Sequence, residues 1–185
     1  YRMNAQSNQL EYAFKRNGIP YKIYGGMRFF DRAEVKDMLS YLCVIANPED
    51  DLRLRRIINT PPRGIGARTI ELAAGIAARE QKPLYDVVRR AAEYEDLRRA
   101  APKLFAFVDM MEDLRRANKE LSPDELYDLL VEKSGSRAAL EAKNTTEDTA
   151  RLENISELKT NIIQYMTDTG DTTLEGFLDD VARYT

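Results

Sequence analysis

Hydrophobic residues recur at helical spacing over most of this 185-residue chain. From residue 31 onward, apolar side chains fall three or four positions apart, as they do on the buried face of an amphipathic helix. The pattern therefore predicts a mainly α fold. Helix starts are indicated by residues that favour the first turn, namely Asp31, Asn47, Pro83, Pro102, Ser122, Ser136, Thr145 and Thr173.

Two of these starts carry specific capping predictions. Asp31 precedes Glu34 at the spacing of a capping box, so Asp31 is predicted to cap the first of these helices. Asn47 with Pro48 is predicted to cap the next one. That second helix is expected to bury the apolar residues Leu52, Leu54, Ile57 and Ile58.

The first 24 residues follow a different pattern. Residues 5–17 are predicted to be helical and residues 20–24 alternate like a short strand. Because a single strand cannot form a sheet, this segment is expected to belong to a neighbouring α/β domain. Gly25 and Gly26 are a candidate hinge. The aromatic pair after them, Phe29 and Phe30, either packs against the helical body or stacks a nucleic-acid base, and packing is the favoured interpretation.

The loop Thr60-Pro61-Pro62-Arg63-Gly64-Ile65-Gly66 leads directly into the helical pattern that opens at Ala67. Two glycines allow a close approach of the main chain to a partner, and the free N–H groups of a helix start can bind an anion. Arg63 and Arg68 add positive charge. The loop taken alone favours a plain helix-to-helix turn; the alternative is a phosphate-binding loop.

Charge is unevenly distributed along the chain, although its formal net charge is only −3. Residues 1–68 hold twelve Lys/Arg against seven Asp/Glu, a net charge of +5. The remaining 117 residues carry −8. Such a split is typical of a protein that meets phosphates on one side, or it reflects the mixed charge of ordinary exposed helix faces.

Several function classes lack the residues they need. The chain has no His and one Cys, so no catalytic residue, metal site or cofactor site is predicted in it. It also lacks the phosphate-binding loop of ATP-binding proteins. Lone Cys43 suits a reducing cytoplasm, and neither a membrane-spanning run nor a signal peptide is recognisable. Since the chain opens without Met, it is expected to be an excised fragment.

Ordered motifs along the chain resemble the middle of a superfamily 1 DNA helicase of the UvrD/PcrA/Rep type. The resemblance is most specific in the first 70 residues and weak between about residues 80 and 145. It rests on Tyr1-Arg2-Met3-Asn4-Ala5-Gln6-Ser7, Ile19-Pro20-Tyr21, the segments 25–37 and 45–48, Ile58 to Gly66, and Arg151-Leu152-Glu153-Asn154-Ile155.

The resemblance implies a division into two parts. Residues 1–24 correspond to a piece of motor domain 2A, and residues 25–185 to its helical insertion, subdomain 2B, with helix-loop-helix elements around the Gly-Ile-Gly loop. ATP and Mg²⁺ would bind elsewhere in the parent chain, an ATP-dependent helicase. The fragment alone is not expected to be active.

The resemblance also implies DNA-contacting residues. Arg2, Asn4 and Arg28 would border the track of the single strand. Asn8 departs from the family, which usually has Arg there, so a role for that position in strand binding is not carried over. Duplex backbone contacts would come from Thr60, Arg63, Gly64, Ile65, Gly66, Arg68 and Thr69.

The function these implications favour is that of a DNA-binding and regulatory subdomain of a 3′-to-5′ DNA helicase used in repair or replication. The alternative is a protein-interaction or autoinhibitory module of the same helicase. In that case the body would swing on Gly25 and Gly26 and dock on the motor domains or an accessory protein. Docking would use the acidic later helices, whereas DNA binding would use the basic first third.

Overall fold

The described part of the chain, residues 29–183 of a computed structural model, consists of α-helices and short 3-10 helices. No strand occurs within this range, which confirms the mainly α prediction. The helix predicted over residues 5–17, the strand over 20–24 and the hinge at Gly25 and Gly26 lie outside it.

Nine α-helices follow one another between residues 29 and 183, with 3-10 helices at Phe29–Asp31, Ala91–Glu93 and Glu95–Leu97. Most connections are short, as in other helical domains. The helices are α1 (Ala33–Ala46), α2 (Asp51–Ile57), α3 (Ala67–Glu80), α4 (Leu84–Arg89), α5 (Ala101–Asn118), α6 (Pro123–Ser134), α7 (Ser136–Lys143), α8 (Thr146–Thr169) and α9 (Leu174–Ala182).

Helix α1 lies at the centre of the core. It packs against α2, α5, α6, α8 and α9, and Val35, Tyr41 and Leu42 on it are fully buried. Each such apolar side chain contributes about 1.5–3 kcal/mol when it is removed from water. Because so many elements share this helix, its position determines where the loops at its ends lie.

Phe29 and Phe30 lie in the same core, just before α1. They are only 3% and 4% exposed, and their rings meet edge to face with centroids 5.3 Å apart. Burial of both rings supports the packing interpretation of this pair and leaves no free ring face for a base.

The two capping predictions near α1 are wrong. Asp31 belongs to the 3-10 helix, and Arg32 takes the cap position of α1 without a side-chain cap bond. Asn47 ends α1 instead of starting α2: its N–H donates to Cys43 O, and its Oδ1 accepts from Glu49 N at 3.1 Å. This turn delays the next helix, so that Asp50 becomes the cap of α2.

The burial predicted for the second helix is correct except at Leu52. Leu54, Ile57 and Ile58 are buried, whereas Leu52 is 77% exposed. Successive residues in an α-helix are about 100° apart, so Leu52 lies roughly 200° around the axis from Leu54. A seven-residue helix that buries one face at Leu54 therefore presents Leu52 to solvent.

Thr145 starts the longest helix, α8, as predicted. Its hydroxyl accepts from Asp148 N at 3.0 Å and donates to Asp148 Oδ2 at 2.7 Å. The Asp148 carboxylate also accepts from Arg151 at 2.9 Å. The Thr145 hydroxyl, followed by Arg151, holds the pKa of Asp148 below its ordinary value.

We expect Thr145→Ala to lower the free energy of unfolding by about 1 kcal/mol, because it leaves a helix-start N–H without its acceptor. Urea unfolding followed by circular dichroism measures this. The control is Thr146→Ala one position later, where the side chain is exposed and the change should stay within about 0.5 kcal/mol. Equal losses at both positions would contradict the assigned cap.

Candidate nucleic-acid interface

The segment between α2 and α3 forms a loop that closes around one side chain. Asn59 Oδ1 accepts from Arg63 N at 2.7 Å and from Ile65 N at 3.1 Å. The Ile65 side chain is only 1% exposed and packs in the core. The Thr60–Pro61 peptide bond is cis. The loop is thus tied to the helical body at Asn59 and Ile65.

The guanidinium of Arg63 lies on the inner side of this loop. Its Nη1 donates to the carbonyl oxygens of Ile57, Ile58 and Thr60 at 2.9, 3.3 and 3.3 Å. Its Nη2 donates to Ser134 O at 3.0 Å and to the Tyr41 hydroxyl. The side chain therefore joins the loop to the ends of α2 and α6.

Two aromatic rings complete the surroundings of Arg63. The guanidinium carbon lies 5.3 Å from the ring centroid of Phe107 and 5.7 Å from that of Tyr41, both within cation–π range. The Tyr41 hydroxyl donates to Thr60 O at 2.5 Å. Burial raises the pKa of Tyr41, and the positive charge of Arg63 partly opposes that rise.

The outer side of the loop exposes backbone and positive charge. Gly64, Gly66 and Arg68 are exposed, and Gly64 has a left-handed backbone with φ +75°. Lys103, near the start of α5, approaches the loop from another element: its Nζ lies 3.4 Å from Gly64 O. Two cations thus flank a stretch of bare main chain.

Helix α3 begins at this same surface. Gly66 is its cap residue and provides no side-chain acceptor, and the first turn contains no acidic residue. The N–H groups of that turn, on Ala67, Arg68 and Thr69, have no acceptor within the helix. With the positive end of the helix dipole, they can bind an anion such as a phosphate.

The structure separates the predicted duplex-contacting residues into two groups. Gly64, Gly66 and Arg68 lie at the surface and Thr69 is half-buried. The others make contacts within the domain: Ile65 is buried, Thr60 Oγ1 donates to Arg56 O at 3.0 Å, and Arg63 contacts the helix ends. The single-strand residues Arg2, Asn4 and Arg28 lie outside residues 29–183.

Sequence reasoning missed Lys103, Asn59 and Tyr41 at this site. For Asn59 a local signal exists, because Asn commonly accepts from nearby backbone N–H groups in turns. Lys103 follows a correctly predicted helix start at Pro102, but nothing local places that start beside Gly64. It also lies in the part of the chain with negative net charge.

Between residues 29 and 183, no group of three or more His, Cys, Asp or Glu side chains is arranged to hold a metal ion. No helix in that range is long and apolar enough to cross a membrane.

The fold and the site together define a helical domain that exposes a loop of bare main chain beside two cations. A family model described as the UvrD-like helicase C-terminal domain matches residues 1–183, and the chain belongs to that family. This confirms the resemblance seen in the motifs.

Individual relatives agree with this assignment. The chain is 39% identical over 157 residues to an "ATP-dependent DNA helicase PcrA" from Staphylococcus aureus. The matched segment covers 85% of this chain and 22% of that protein. The protein of the same name from Staphylococcus epidermidis is 38% identical over the same length. The chain thus spans about a fifth of the length of these curated relatives.

The two glycines of the loop should respond differently to substitution. Gly64→Ala places a β-carbon on a left-handed residue, 2.6 Å from Lys103 Nζ, and is expected to cost about 1–2 kcal/mol of unfolding free energy. Gly66 has φ −73° and open space around it, so Gly66→Ala should stay within about 0.5 kcal/mol of the unsubstituted chain. Urea unfolding of both variants measures the difference. Equal losses of unfolding free energy in the two variants would contradict the left-handed, crowded backbone assigned to Gly64.

Proposed function

We propose that this chain is part of an ATP-dependent 3′-to-5′ DNA helicase and that its loop at residues 60–66 binds the phosphate backbone of duplex DNA. Residues 1–24 would belong to motor domain 2A and residues 25–185 to the helical subdomain 2B. The observation that carries the proposal is the open N-terminus of α3, exposed between Arg68 and Lys103.

Family membership supports the helicase part of the proposal. The relatives are named ATP-dependent DNA helicases and are several times longer than this chain. ATP and Mg²⁺ would bind in other parts of such a protein. The work of the described helices would then be to hold DNA in place for a motor located elsewhere, in DNA repair or replication within the cytoplasm.

The geometry favours phosphate over bases as the ligand. The donors at Gly66 and the first turn of α3 are main-chain N–H groups, which can donate to phosphate oxygens whatever the base sequence of the DNA. Gly64 and Gly66 carry no side chain that could reach into a groove and read a base edge. Arg68 and Lys103 add charge that attracts the backbone. Binding should therefore be independent of sequence and weaken as salt is added.

The inferred contacts extend beyond this loop. Arg2, Asn4 and Arg28 are proposed to lie along the single strand. Lys103 joins Gly64, Gly66, Arg68 and Thr69 as a proposed duplex contact, because its ammonium already lies against the loop.

We expect the chain to bind a short fluorescein-labelled duplex with a dissociation constant of about 10⁻⁴–10⁻⁶ M, the range of nonspecific binding. Fluorescence anisotropy at salt concentrations between about 50 and 200 mM gives the slope of log affinity against log salt. Arg68→Ala and Lys103→Ala should each weaken binding and reduce that slope by about 1, because each removes one phosphate contact.

Lys119→Ala is the matched control. Lys119 is exposed and lies beyond the other end of α5, roughly 24 Å along the helix axis from Lys103. It removes the same charge, so its slope should equal that of the unsubstituted chain. Absence of binding at low salt, or equal effects of Lys119→Ala and Lys103→Ala, would contradict the proposed interface.

A further inference from the structure

We propose that Arg63 and Asn59 are positioning residues, which hold the loop in its DNA-binding shape from the inside without contacting DNA. This goes against the sequence-based prediction that Arg63 binds phosphate. The part that concerns DNA rests on the function proposed above, whereas the part that concerns loop order does not.

Both terminal nitrogens of the Arg63 guanidinium already have acceptors within the domain. Five oxygens accept from its two terminal nitrogens, and all five belong to neutral groups: the carbonyls of Ile57, Ile58, Thr60 and Ser134, and the Tyr41 hydroxyl. A phosphate could bind these terminal N–H groups only by removing them from those acceptors. Ile57 O would keep the Thr60 N–H and Thr60 O would keep the Tyr41 hydroxyl, but Ile58 O and Ser134 O would lose this donor in a partly buried site, which is costly.

The ends of two helices also stabilise the positive charge of Arg63 at this position. The carbonyls of Ile57 and Ile58 end α2, and Ser134 is the last residue of α6. Helix C-termini carry partial negative charge, so a cation placed where two of them meet is stabilised without a carboxylate. The forked, planar guanidinium reaches both ends at once, which the single ammonium of Lys cannot do.

Asn59 acts on the other side of the same loop. Its Oδ1 accepts from the N–H groups of Arg63 and Ile65, the two residues that flank Gly64. These bonds fix the direction of the chain on both sides of the left-handed glycine. Asn59 and Arg63 hydrogen-bond on the inner side of the loop and hold the residues next to the glycines there, so that Gly64 and Gly66 face outward.

The first test needs no DNA. Amide hydrogen exchange should show faster exchange of the Ile65 N–H, by about tenfold or more, in Arg63→Lys, Arg63→Gln and Asn59→Ala. The Leu42 N–H in the core of α1 is the internal control and should change far less. Asn59→Asp keeps an acceptor oxygen and should retain protection of Ile65. Unchanged exchange at Ile65 in Asn59→Ala would overturn the proposal, even if the Arg63 variants did not fold.

The second test measures duplex binding at a temperature where circular dichroism shows each variant fully folded. Arg63→Lys and Arg63→Gln should both bind about tenfold more weakly than the unsubstituted chain, because the loop loses its preorganised shape. The salt slope should stay unchanged, in contrast to the reduction by about 1 that follows the loss of a phosphate contact.

Three results of the binding test would overturn the positioning role. A slope reduced by about 1 in Arg63→Gln would make Arg63 a phosphate contact. Retention of affinity in Arg63→Lys would show that charge alone matters. Unchanged affinity in both folded variants would leave Arg63 a merely structural residue. If the unsubstituted chain binds no duplex, the proposed function fails, and amide exchange at Ile65 still decides whether the loop is held as inferred.

Discussion

A single partly buried cation, Arg63, joins the parts of this domain that meet at its exposed loop. The Arg63 guanidinium lies at the C-terminal ends of α2 and α6 and between rings supplied by α1 and α5. A cation tolerates partial burial only where oxygens satisfy its donors, and here the helix ends provide them. The shape of the loop therefore depends on the packing of these four helices.

That constraint divides the loop into two faces with different tasks. The inner face, with Asn59, Arg63 and Ile65, is satisfied by hydrogen bonds and burial within the domain. The outer face leaves glycine backbone and a helix start exposed, next to Arg68 and Lys103. Because the inner contacts hold the main-chain donors in place, less conformational entropy is lost when a ligand binds.

Helices were predictable from local pattern, because apolar spacing and caps such as Thr145 depend only on near neighbours. The starts of α1 and α2 were not predictable in this way, because a 3-10 helix that includes Asp31 and a competing turn at Asn47 shift them along the chain. The side of the loop that Arg63 faces is decided by Ser134, 71 residues away. The approach of Lys103 to Gly64 likewise depends on packing across 39 residues.

The surface that duplex DNA contacts on this chain is the most direct test of the proposed interface. Amide chemical-shift mapping during a duplex titration locates that surface without any substitution. We predict that the largest shifts fall on Gly64, Gly66, Ala67 and Arg68, with Lys103 joining them from α5. Shifts concentrated instead on the acidic later helices, with the start of α3 unaffected, would contradict the proposed interface.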